Sequence, residues 1–403
     1  MFLNVLEKKH TGIYNVITLQ KQPGVFFIMS NKKPLNVEIK KINKTNIYQL
    51  FLQGEELSKQ ELAGELQLCI PTVAKNIDEL MSAGLIRPTG SKGNTGGRNA
   101  TAYSIISNAK TALGIEVTNN HISIAALNLL GDIILSEEYH AAFSDTQDYY
   151  RELGSLVKEF VAKAGLQEQD ILGVGIGLPV LVDSNRQKIV FNKIINLESN
   201  VFEKLSEHIP YRIELFNDAN AAAYTEIWKN PNMKNAFYLM LSNNIGGCFV
   251  LDDIVYIGDT QKAGEVGHIT LIPNGQKCYC GQNGCVETYL AATNLSNLTG
   301  GNLQKFFLEL EKGDKSLAMI WDKYLDYLAL TVNTVHALLD CNIVLGGYVG
   351  GYLETYMDAL RGRVERLNSF GDRADYLKTC KYKKAAIASG AALNFIAAFN
   401  ESI

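Results

Sequence analysis

The stretch from Gly264 to Glu287 constrains this chain most. It offers one imidazole and three thiols, at His268, Cys278, Cys280 and Cys285, within eighteen residues. A His-Cys-Cys-Cys set is the closed tetrahedral coordination expected of structural Zn2+. Gly281 and Gly284 let the backbone turn back so that Cys280 and Cys285 face one ion. Cys278 and Cys280 are too close in sequence for an easy disulfide. Two carboxylates, Glu265 and Glu287, bracket the motif, and a metal holding this loop would fix both in place. The other four cysteines, Cys69, Cys248, Cys341 and Cys380, read as core residues of a chain kept in reducing cytoplasm.

The 403 residues suffice for two or three domains. A formal charge of −4 does not by itself mark a nucleic-acid partner. Residues 30–100, however, carry ten Lys/Arg against seven Asp/Glu, so a mildly basic segment precedes an acidic body. No apolar run approaches the roughly 18 residues of a membrane span, and no membrane partner is expected.

Residues 1–40 have no clear period and read as an N-terminal extension. Met29-Ser30-Asn31-Lys32-Lys33-Pro34 resembles a natural start, so residues 1–28 are expected to be a loose tail or an over-extended reading frame. Residues 41–108 read as a winged helix-turn-helix. Ile47, Leu50 and Phe51 share one helical face, and Ser58-Lys59-Gln60-Glu61 is a capping box for a second helix. Val73, Ile77, Leu80 and Met81 line a third, with Pro71 in its first turn. A strand, a glycine-rich tip from Gly90 to Gly97, and a returning strand through Tyr103 and Ile105 complete a two-stranded wing. Thr72, Lys75 and Asn76 should project from the third helix as readers of base edges. Lys59 and Lys92 should meet phosphates, and Arg98 the minor groove.

After a linker at 107–111, strands and helices alternate in two similar blocks, 109–235 and 236–403, the second holding the metal motif. The last helix of the second block is free to return to the first. The pattern is α/β, with two lobes and a cleft between them suited to a small ligand.

These residues resemble the ROK family, which groups sugar-responsive repressors with sugar kinases on an actin-like, hexokinase-like ATPase fold. His268, Cys278, Cys280 and Cys285 match its zinc motif, Asn217 to Ala222 its sugar segment, and Gly97-Arg98 the wing of its repressor branch. The resemblance implies that Asn217, Asp218, Glu265, His268 and Glu287 bind sugar hydroxyls, with Asp218 at the position of the kinases' catalytic base. A helix start at Asp218 should favour its ionised form. The family's first phosphate loop, Asp-x-Gly-Gly-Thr, is here Glu116-Val117-Thr118-Asn119-Asn120. Its second, Gly-Thr-Gly-x-Gly, is Ser242-Asn243-Asn244-Ile245-Gly246. Most phosphate-approaching glycines are missing, so no kinase activity is expected. The combination implies a cytoplasmic repressor that senses a sugar or sugar phosphate. It would bind a double-stranded operator as a homodimer or homotetramer. An active kinase with an appended DNA-binding segment, and a regulator controlled by a transport-system protein, are the alternatives.

Overall fold

The computed structural model describes residues 36–92, 100–183, 187–195, 197–198, 200–230, 233–371, 373–382 and 385–403. The expected tail at 1–28, the wing tip and Arg98 lie outside them.

The first body opens with α1 (Asn36–Phe51), which starts earlier than the periodicity from Asn43 indicates. It continues through β1 (Leu57–Ser58), α2 (Lys59–Glu65), α3 (Ile70–Ser82), β2 (Ile86–Lys92) and β3 (Ala100–Ile105). The capping box forms as expected: Glu61 N–H donates to Ser58 Oγ at 3.2 Å, and Ser58 N–H donates to the Glu61 carboxylate at 2.7 Å. Ile47, Phe51, Leu62, Val73, Ile77 and Leu80 are buried together. The wing is three-stranded, in the order β1-β3-β2, because the short run before the capping box pairs with β3.

The first sheet is built from β4 (Thr111–Val117), β5 (His121–Asn128) and β6 (Ile133–His140). After α4 (Gln147–Lys163) come β7 (Ile171–Leu178), the hairpin β8 (Leu181–Asp183) and β9 (Lys188–Phe191), then α5 (Val201–His208), β10 (Ile213–Asn217) and α6 (Asp218–Lys229). The second sheet starts with β11 (Ala236–Leu241), β12 (Ile245–Leu251) and β13 (Ile254–Tyr256). The metal-motif loop follows, then α7 (Glu287–Leu290), α8 (Thr293–Ser296), α9 (Leu303–Glu311) and α10 (Lys315–Leu339). The chain closes with β14 (Asn342–Gly346), α11 (Gly347–Gly350), α12 (Met357–Leu367), β15 (Leu377–Thr379) and α13 (Ala386–Ser402). The helix expected over 351–367 is thus divided, with a 3-10 turn at Leu353–Tyr356 before α12.

The two sheets repeat one topology. The first runs β10-β7-β4-β5-β6 and the second β15-β14-β11-β12-β13. In each, an antiparallel three-strand meander is extended by two parallel strands. This is the doubled α/β arrangement of the actin-like, hexokinase-like fold. Each sheet has its own apolar core, and the alanine face of α6 (Ala219, Ala222, Ala223) packs on Tyr238, Met240 and Cys248 of the second sheet. α13, at the end of the second block, crosses back onto β4 and β7. A Cβ at Gly114 would lie 1.7 Å from the Ala388 carbonyl oxygen, so only glycine admits the helix there.

Candidate functional site

Asn217 is the N-cap of α6: its Oδ1 accepts the Asn220 N–H at 3.0 Å, while its Nδ2 donates to the Val180 carbonyl at 3.0 Å. Asp218 follows at the first helical position and accepts the Ala219 N–H at 2.8 Å. Burial pushes the pKa of Asp218 up to about 7, with the Glu265 charge adding to the shift. Burial therefore works against the ionisation expected at a helix start. Desolvation of a carboxylate outweighs a helix terminus that is worth at most about 2 kcal/mol. Burial raises Glu116, at the end of β4, to about 7 as well, assisted by the charges of Asp218 and Glu138.

Linkage gives the sign of the pH effect. A carboxyl whose pKa is raised by folding adds stability below its unfolded value, and that contribution is lost as pH rises through about 7. Asp218→Asn removes the ionising group. Its melting temperature should exceed the parent's by about 2 °C or more at pH 8, and the gap should close toward pH 5. Calorimetry at the two pH values checks this.

The loop before α7 brings the other expected residues together. Glu287 is only 5% exposed. Its carboxylate accepts Asn244 Nδ2 at 3.0 Å and the Ile245 N–H at 2.6 Å. Burial raises its pKa to about 7. The two faces of His268 serve different neighbours. Nδ1 lies 3.8 Å from Cys278 Sγ, while Nε2 lies 3.3 Å from Tyr279 Oη and 3.9 Å from Glu265 Oε2. Burial, with the charge of Lys193, lowers the His268 pKa and so favours the neutral ring that a metal ligand must be.

Gly281 and Gly284 adopt φ of +100° and +80°, the turn-back the spacing calls for. The ligand atoms of His268, Cys278, Cys280 and Cys285 all lie within 4.8 Å of one another, a set that could hold a metal ion. Cys280 and Cys285 Sγ are 3.7 Å apart. A tetrahedron of bonds near 2.3 Å has edges of about 3.8 Å, so the donors fit such an ion.

In each of the two stretches that resemble phosphate loops, a backbone amide is engaged within the protein. The amides of Asn120 and His121 both donate to Thr118 Oγ1, at 3.3 and 3.0 Å. In the second loop the Ile245 amide is committed to Glu287.

In the first body, Lys75 is exposed and Thr72 half-buried on α3. Asn76 is not a projecting residue. It is 2% exposed, and its Nδ2 donates back to the Thr72 carbonyl at 2.8 Å. Its position beside Ile77 and Leu80 places it on the inner face. Lys59 Nζ lies 5.6 Å from the centre of the Tyr103 ring. Lys92 ends β2, with its side chain outside the described residues. Cys69, expected in the core, is exposed at the N-cap of α3, whereas Cys248, Cys341 and Cys380 are buried. Tyr279, Asn244 and Glu116 are site residues that motif spacing does not assign. Tyr279 could have been found from its place between two ligands, and Glu116 from a carboxylate ending a buried strand.

Comparison with known proteins fits this geometry. The xylose repressor of Bacillus spizizenii is 31% identical over 258 residues, covering 62% of this chain. The alignment spans 66% of that relative, just under two thirds of its length. The crystal structure of a ROK family transcriptional regulator, a homologue of E. coli Mlc, superposes with a TM-score of 0.69 at 21% identity, covering 90% of this chain and 97% of that one. The ROK hexokinase of Thermus thermophilus superposes with a TM-score of 0.57 at 25% identity, covering 70% of this chain and 97% of that one. Among the described residues no helix is long and apolar enough to cross a membrane. The sequence model of the ROK family matches residues 112–397, and the chain belongs to that family.

Proposed function

We propose that this chain is a sugar-responsive transcriptional repressor whose body binds a sugar or sugar phosphate without phosphorylating it. One contrast carries this reading. The residues we assign to sugar hydroxyls, Asn217, Asp218, Glu265, His268 and Glu287, lie on one loop and one helix start. In the two stretches that resemble phosphate loops, the Asn120 amide is committed to Thr118 and the Ile245 amide to Glu287. A polyol needs several convergent acceptors and donors, which the first group supplies. Zn2+ held by His268, Cys278, Cys280 and Cys285 would fix the ring of His268 while its Nε2 stays beside Glu265 and Tyr279. Lys59, Thr72 and Lys75 are the contacts we assign to operator DNA, with Lys92 and Arg98 at the wing; the burial of Asn76 removes it from that set. Two or more copies would span a pseudo-palindromic operator.

A pKa of about 7 at Asp218 also suits a general base, which favours a working sugar kinase as the second reading. A coupled ADP-release assay with a panel of pentoses and hexoses separates them. We expect no sugar-dependent ADP release, while a sugar of the panel raises the melting temperature. Sugar-dependent turnover would overturn the repressor-only reading.

A further inference from the structure

The site at the start of α6 and the DNA-binding body are joined by a continuous, tightly fitted structure. α6 spans twelve residues, about 18 Å of helix, from Asp218 to Lys229. Near its far end the Trp228 Nε1–H donates to the Leu130 carbonyl at 3.1 Å. α6 has little room to slide against α13. A Cβ at Gly390 would sit 1.6 Å from the Ala221 carbonyl oxygen, and Thr225 Oγ1 donates to the Ala386 carbonyl at 2.8 Å. Packing this close transmits displacement instead of absorbing it.

Both helices end at the same joint. Asn400, on the last turn of α13, is 3% exposed, and its Oδ1 accepts the hydroxyl of Tyr48 on α1 at 3.0 Å. Asn400 Nδ2 faces the Leu129 carbonyl at 3.5 Å, and the Leu129 N–H donates to the Ser107 carbonyl at 2.9 Å, where the chain leaves the wing. Leu129 is buried in the same cluster as Ile47, Tyr48 and Phe51, with Leu130, Phe399 and Ile403 packed against it. The core of the DNA-binding body therefore includes the tip of the β5–β6 hairpin and the end of α13.

We propose that α6 and α13 move as one rigid unit, carrying the state of the sugar site to the DNA-binding body, with Trp228, Asn400 and Tyr48 as its positioning residues. This rests on the reading of the cleft as a sugar site. Coupling of two sites requires a shared element whose arrangement both bias, and here it is a helix pair anchored at each end. A buried polar contact suits such a joint. Its partners lose their hydrogen bonds together if the unit shifts, and an unpaired buried group costs about 1–3 kcal/mol.

Hydrogen–deuterium exchange on the full chain, with and without saturating D-xylose and a panel of other sugars, tests the proposal. Bound sugar should slow exchange at residues 217–220. It should also change exchange at residues 45–51 and 107–109 by about fivefold or more, the lower bound of ordinary coupling. In Trp228→Phe and Tyr48→Phe the response at 217–220 should persist and the distant one be lost. Tyr48→Phe keeps the ring packing and serves if the tryptophan variant does not fold. A distant response that survives in a folded variant overturns the relay, as does a local response with no distant one in the parent chain. No response at 217–220 to any sugar overturns the sugar reading, and the relay with it.

Discussion

Cys285→Ser should purify with far less than one metal ion per chain, melt lower than the parent, and bind sugar at least about tenfold more weakly. Cys285 is fully buried, and its Sγ is one of four donors within 4.8 Å of one another. A serine hydroxyl does not replace a thiolate at that point. Losing the proposed ion would remove the tie between His268 on one side of the loop and the three cysteines on the other. Val286 and Glu287 follow Cys285 directly, so the Glu287 carboxylate loses its fixed approach to Asn244 and the Ile245 amide. Hydrogen bonds to charged groups are worth about 1.5–3 kcal/mol each, and misplacing one costs tenfold or more in affinity. Elemental analysis and calorimetric titration with the responding sugar check the two parts. Full metal content with undiminished sugar binding would remove the metal from the account.

Much of this site is legible in the sequence because its parts are local. The metal motif needs a short loop, two turn glycines and donors at fixed spacing, all readable without tertiary information. The capping box at Ser58 is equally local, and it forms as the residues imply. What escaped reading is set by packing between distant segments. Asn76 is polar at a helical position next to the apolar stripe, yet the fold covers it and its side chain turns back to the backbone. Asp218 begins a helix, which favours charge, but the surrounding protein removes more solvation than the helix end returns. The seat of α13 depends on Gly114 and Gly175 on the first sheet, and on Gly390 against α6, meeting backbone from residues far away in sequence. Nothing in the local spacing of those glycines announces what they must admit. The joint of Tyr48 with Asn400 links residues 352 positions apart, beyond the reach of any periodicity.

The second large effect is on DNA. If the cleft and the DNA-binding body form one coupled system, sugar must change operator affinity, because a ligand shifts an equilibrium only by its different affinity for the two states. Ordinary coupling free energies of 1–3 kcal/mol correspond to about 5–150-fold. The direction expected of a repressor relieved by its sugar is weakening. Lys59, Thr72 and Lys75, the contacts we propose for operator DNA, sit on the body that α13 braces through Asn400, so a shift there would alter how two such bodies meet two half-sites. The measurement is fluorescence anisotropy of a duplex selected by the full chain from a random pool, titrated at fixed salt with and without the sugar that stabilises the protein. Binding should be tight without sugar and at least about fivefold weaker with it. Identical affinity under both conditions, with the sugar shown to be bound, would contradict the coupling.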